Sequence, residues 1–271
     1  MSLVFAITNQ KGGVGKTTTT VSLAAALAHR QHRVLIVDID PQANATSAAG
    51  VAHDADAPAT SDDAGGGIYA ALIDETPLLD LAVATVTPGL SLIPSSPDLA
   101  GAEVELTSVI AREYRLKRAL EAVRDQYDFV LIDCPPSLGL LTVNALAAAD
   151  EVIIPVQTEY LALEGLGHLT KTIELIRANL NPSLRVRGIV LTMFDARTNL
   201  SRQVETEVRE HFGNTFNAVI PRSVRLSEAP SHGLPIQSYD PLSAGARAYE
   251  ALADELLEQL TTSNAGGPDG T

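Results

Sequence analysis

Short apolar runs rich in Val, Ile and Leu recur at residues 3–8, 33–38, 128–133, 151–156 and 186–193. They lack the polar alternation of a half-exposed strand, so each reads as a strand covered on both faces. Helical spacing and good helix formers occupy 16–30, 115–126, 161–179 and 244–260. Strand and helix in alternation predict an α/β fold: a doubly wound, mostly parallel sheet with helices on both faces.

Two stretches break the pattern. Residues 51–67 (VAHDADAPATSDDAGGG) are rich in Ala, Asp and Gly without an apolar period, and are expected to form a mobile surface loop. Residues 261–271 (TTSNAGGPDGT) offer turn formers and few core residues, and are expected to be a disordered tail. The 271 residues then suit a single domain over 1–260.

Composition narrows the compartment and the chemistry. No apolar run approaches the roughly 20 residues of a membrane-spanning helix, and the opening LVFAIT reads as a strand and not as a leader. The lone cysteine, Cys134, excludes an intrachain disulfide framework and a cysteine cage built from one protomer, which fits a reducing cytoplasm. The formal charge of −14 argues at first against nucleic acid. Between 171 and 250, however, ten Lys or Arg stand against eight Asp or Glu, so a locally basic face is available on an acidic chain.

The strongest chemical signal is KGGVGKTT at 11–18, which follows a strand and opens a helix. Gly12, Gly13, Val14, Gly15, Lys16, Thr17 and Thr18 are expected to wrap the phosphates of ATP. Glycines let backbone N–H groups face anionic oxygens. Lys16 should reach the β and γ phosphates, and Thr17 should place its hydroxyl on Mg²⁺. The ordinary G-x-x-x-x-G-K-[ST] pattern is broken, because Gln10 stands where its first glycine belongs and an extra lysine, Lys11, follows. Two further strands end in acids. VLIVDID brings Asp38 and Asp40 to the phosphate edge of the sheet, and FVLIDCPPS brings Asp133, followed by the rigid Pro135 and Pro136. Cys134 is expected to be a buried filler and His232 a loop residue.

NQKGGVGKTT resembles the deviant Walker A loop of the ParA/MinD ATPases. The stretches 189–200 (IVLTMFDARTNL) and 220–233 (IPRSVRLSEAPSHG) resemble Soj-type chromosomal ParA proteins, so the likeness runs from residue 3 to about 260. The resemblance implies that Lys11 contacts the nucleotide of a partner subunit in an ATP-dependent homodimer. It implies that Asp40 positions the attacking water, that Asp133 binds Mg²⁺ through water, and that Asp38 supports the metal shell; a loop-capping Asp38 is the alternative. Lys11, Lys16 and Asp40 are thus the catalytic candidates, and Thr17, Asp38 and Asp133 the metal candidates. Pro221 and Arg222 would lie near the adenine. Arg197 and Arg225, with Arg202 nearby, would meet the phosphates of non-specific double-stranded DNA, since no base-reading motif is visible.

The function so implied is DNA partitioning, for a chromosome or a plasmid, in a nucleoid-associated cytoplasmic protein released from DNA by a ParB-like partner that accelerates slow hydrolysis. Membrane targeting of the MinD kind would need a basic amphipathic end, whereas EALADELLEQL is acidic. A nitrogenase iron protein would need more cysteines. Positioning of another cargo, and a small-molecule ligase of the dethiobiotin synthetase type, remain as alternatives.

Overall fold

The computed structural model describes residues 2–51, 66–160 and 162–265. Its strands are β1 (Leu3–Ile7), β2 (Val34–Asp38), β3 (Val83–Ala84), β4 (Leu90–Ile93), β5 (Phe129–Asp133), β6 (Glu151–Gln157), β7 (Arg185–Phe194) and β8 (Thr215–Pro221). They form one eight-stranded sheet in the order β3-β4-β2-β5-β1-β6-β7-β8. Every neighbouring pair is parallel except β3 with β4.

The absence of polar alternation in the strands has a direct cause. Val4, Ala6, Leu35, Val37, Val130 and Ile132 enter a core shared with the helices Arg115–Glu121, Leu140–Ala148 and Ala162–Asn179. The alternate residues Phe5, Ile7, Val34, Ile36, Phe129 and Leu131 enter a second core beneath Lys16–His29 and Ala244–Ala265. With both faces covered, each large aliphatic side chain so buried stabilises the fold by about 1.5–3 kcal/mol. The chain builds outward from β1 through β2 to β4, returns with β5 between β2 and β1, and then extends the other way through β6, β7 and β8. This reversal beside β1 opens a crevice at the carboxyl ends of the strands, where α/β sheets bind ligands.

The expected strands are all present, with ends moved by a residue or two. The sequence reading passed over β3, β4 and β8, and the helix expected over 115–126 stops at Glu121, with turns beyond. The expected loop at 51–67 falls almost entirely outside the described residues. The disordered tail is corrected in part, because the last helix continues through Ala265. Thr261 and Thr262 donate their hydroxyls to the carbonyls of Leu257 and Glu258 one turn back, so these weak helix formers extend a helix that is already nucleated. Residues 266–271 lie outside the described residues. No described helix is long and apolar enough to cross a membrane.

Candidate nucleotide site

The loop after β1 is fixed at both ends by side chains. Asn9 donates through Nδ2 to the carbonyl of Pro155 (2.8 Å) and accepts the Lys11 N–H on Oδ1 (3.0 Å). Thr192, near the end of β7, donates its hydroxyl to the Val14 carbonyl (2.8 Å). Gly13 and Gly15 have φ of 74° and 87°, left-handed values that strain any side chain, so the sharp turn into the helix at Lys16 depends on glycine. The free N–H groups of that helix face the crevice. The result is a cleft of about 520 Å³ lined by Gly12, Gly13, Lys16, Thr17, Asp40 and Pro136. A second hollow of about 400 Å³ adjoins it, lined by Met193, Pro221, Arg222, Leu226 and Tyr249.

The acids meet where β2 and β5 end side by side, with Asp38 in register with Asp133. Both are fully buried. Asp133 accepts hydroxyl hydrogens from Thr17 (2.7 Å) and Thr20 (2.8 Å), yet burial, and then the charge of Asp38, push its carboxyl up to about 8. Burial likewise pushes Asp38 up to about 6 against the donors it receives. Those donors are the N–H of Asp40 (3.1 Å) and the N–H and hydroxyl of Thr46 (both 2.8 Å). Asp38 therefore ties down the loop after β2, the capping arrangement weighed against a place in the metal shell. Asp40 accepts the Gln42 N–H (3.0 Å), and its own carbonyl accepts the Ser95 hydroxyl (2.7 Å), which holds the side chain at the cleft wall. Lys16 is buried, and its ammonium donates to the Lys11 carbonyl (3.2 Å). Burial lowers its pKa, while Asp133, Cys134 and Asp40 act in the opposite direction. Asp133 and Asp40 thus face one buried lysine.

The remaining candidates lie around this centre. Lys11 is exposed and ion-paired with Glu159, just beyond β6. The Cys134 thiol is buried, and burial raises its pKa, as suits a filler. His232 stacks on Tyr239 in a short helical turn. Arg197 and Arg225 follow the carboxyl ends of the adjacent strands β7 and β8, so both occupy the sheet edge that carries the phosphate loop. Each is already engaged by acid. Arg197 forks onto Asp195 (2.9 and 2.7 Å) and holds it well below the usual carboxylate range, while Arg225 meets Glu228 (3.0 Å) and Asp240 (3.5 Å). Arg202 donates to the Ala196 carbonyl (2.7 Å) and so braces the loop of Arg197.

Several residues of the site escaped the sequence reading. Asn9 and Thr192 clamp the loop, Glu159 holds Lys11, and Met193, at a left-handed φ of 52°, lines both hollows. Only Asn9, just before the loop, carried a local signal. The others are brought in by strand pairing.

Comparison with known proteins places this geometry. Residues 2–186 match the family described as an AAA domain. The chain is 54% identical to the sporulation initiation inhibitor protein Soj of Bacillus subtilis, over 94% of this chain and 98% of that protein. It is 51% identical to the chromosome partitioning protein ParA of Myxococcus xanthus, over 95% of this chain and 89% of that one. Among solved structures it resembles cobyrinic acid a,c-diamide synthase from Mycobacterium smegmatis with bound ADP and magnesium, with 38% identity, a TM-score of 0.82 and 97% of each chain covered. With a lysine-bearing phosphate loop facing paired strand-end acids, and with half or more of its residues shared with partitioning proteins over nearly its whole length, the chain belongs to the ParA/Soj family of chromosome-partitioning ATPases.

Proposed function

We propose that the chain is a nucleotide-timed DNA switch: ATP with Mg²⁺ joins two copies face to face, the dimer holds non-specific double-stranded DNA, and hydrolysis hastened by a ParB-like partner releases it. One observation supports this reading above others. The phosphate loop with its acids and the two exposed arginines lie along the same edge of one sheet.

The residues fit the nucleotide and its metal. A Cβ at Gly12 or Gly13 would meet nothing within 4 Å, so the loop backbone opens onto free space wide enough for phosphate oxygens. Among the described residues no three of His, Cys, Asp or Glu converge as a metal cage. That suits Mg²⁺, which keeps several waters and takes few protein ligands beside phosphate oxygens. Thr17 and Asp133 would hold the ion, which would neutralise charge on the phosphates. Lys16 binds the phosphates, Asp38 keeps the loop after β2 in place, and Asp40 orients water. The hollow at Pro221 and Arg222 takes the base.

Lys11 is the residue that reaches the second copy, and the cost of releasing it is small, because an exposed ion pair such as that with Glu159 contributes about 0–1 kcal/mol. Lys11→Ala should retain most of the ATP affinity yet lose ATP-dependent dimerisation. Light scattering showing a normal ATP dimer for this variant removes the trans role.

DNA binding decides the reading. If Arg197 and Arg225 each meet a phosphate, a dimer makes about four contacts, and log K should fall with log salt with a slope near −3.6. Arg225→Ala should flatten the slope by about 2, and Arg225→Glu should weaken binding to every sequence alike while sparing dimerisation. The test is affinity for random duplex DNA with ADP, with ATP and with a non-hydrolysable analogue. Equal affinity in all three states, or none at low salt, would leave a small-molecule ATP-dependent enzyme as the better account. Cargo other than DNA is distinguished by dimerisation without DNA affinity. DNA binding places the protein on the nucleoid, in the cytoplasm.

A further inference from the structure

A groove of about 760 Å³ lies outside the nucleotide cleft, between the helix Leu99–Glu105 with its following turns and the C-terminal half of Ala162–Asn179. Leu138, Leu140, Val143, Leu175 and Ile176 line it. Of its lining, Leu138 is 38% and Leu175 64% exposed, and Val104 and Ile110 stand exposed beside it in the segment 99–114. Exposed apolar side chains gathered in and beside one groove mark a surface that a partner covers.

The groove also carries one unpaired acid. Arg112 pairs with Glu113 at 3.2 Å, so that acid is offset within the chain. No Lys or Arg among the described residues pairs with Glu103. Its carboxylate lies instead against the backbone of Gly139, where a Cβ would overlap it, and accepts the Leu141 N–H at 3.4 Å. Gly139 has no side chain to cap the helix Leu140–Ala148, and Glu103 satisfies one of that helix's free N–H groups from outside. The segment 134–139 therefore runs between two sites. It starts beside Asp133, its Pro136 lines the nucleotide cleft, its Leu138 lines the groove two residues later, and its end rests on Glu103.

We propose that this groove is the docking surface for a basic, apolar segment of a partner protein, and that Glu103 is the positioning residue through which docking reaches the ATP site. The apolar face of the segment covers Leu138, Leu175 and Ile110, and its Lys or Arg takes the Glu103 carboxylate. The Leu141 N–H then loses its acceptor, and the loop between Asp133 and Gly139 is free to shift Pro136 against the nucleotide. The chain's own acidity disfavours a second copy as occupant. The inference rests on the reading above, in which a partner hastens hydrolysis.

The test uses the full-length protein with ATP, duplex DNA and the purified ParB-like partner, and compares wild type with Leu175→Glu, Ile110→Ser and Glu103→Ala. The first two residues are exposed, so their variants should fold normally, as circular dichroism will check. Expected are an unchanged basal turnover and DNA affinity for Leu175→Glu and Ile110→Ser, with half-maximal stimulation requiring about tenfold more partner. Glu103→Ala, which removes both the acceptor of the Leu141 N–H and the charge, should raise basal turnover and lose most of the further stimulation, which a purely structural role would not produce. Full stimulation of all three variants overturns the groove while leaving the partner reading intact. No stimulation of the wild type overturns both. Groove-dependent self-association without partner, seen by sedimentation, overturns the choice of occupant.

Discussion

Lys16→Ala will abolish nucleotide binding or turnover. The lysine is buried with its ammonium on the Lys11 carbonyl, and Asp133, Cys134 and Asp40 all favour its charged form. Removing it takes away the cation that meets the phosphates and the positive charge that faces Asp133 and Asp40. Truncating one partner of a buried charge pair costs roughly 2–5 kcal/mol, which corresponds to a loss of affinity between about thirtyfold and several thousandfold. Titration of a fluorescent ATP analogue, with turnover measured in parallel, checks it. Wild-type affinity and rate in the variant would falsify the phosphate-loop assignment. Because Asp133 and Asp38 are already driven toward their protonated forms by burial, melting curves should accompany the titration, so that lost binding is read on folded protein.

Asp40→Ala separates binding from chemistry. Its side chain is held at the cleft wall by the Gln42 N–H, and its backbone is held by Ser95, so the carboxylate is directed without being part of the phosphate cradle. Loss of a positioned acid or base lowers turnover by about 10²- to 10⁴-fold. ATP affinity should change little, and the ATP dimer should persist and accumulate on DNA. Single-turnover hydrolysis and size-exclusion chromatography with ATP measure the two halves. A variant that hydrolyses at the wild-type rate, or that cannot dimerise, removes Asp40 from the proposed role.

The chemistry of the loop was legible because it is local. Three glycines, a lysine and two threonines stand in one short stretch, and strand runs ending in Asp38 and Asp133 announce their own place at the sheet edge. What surrounds them was not legible. Thr192 lies 178 residues from the Val14 it holds, and Glu159 reaches Lys11 only because β6 packs beside β1. The edge strand β8 was missed because its residues are only partly buried, so its pattern is neither a continuous apolar run nor a clean alternation. The acids paired with Arg197 and Arg225 were present in the sequence, but that they would turn inward onto those arginines follows from turn geometry and not from composition.

Thr192 clips the phosphate loop to β7, which ends at Phe194, and the turn that follows carries Asp195 and Arg197. Five residues separate the clip from the arginine, a span of at most about 16 Å, and the left-handed Met193 and the turn closed by the Thr198 N–H on the Asp195 carbonyl make it shorter. The phosphate loop and the turn that carries the arginine thus hang on one short stretch of chain, bent at Met193, which lines both hollows.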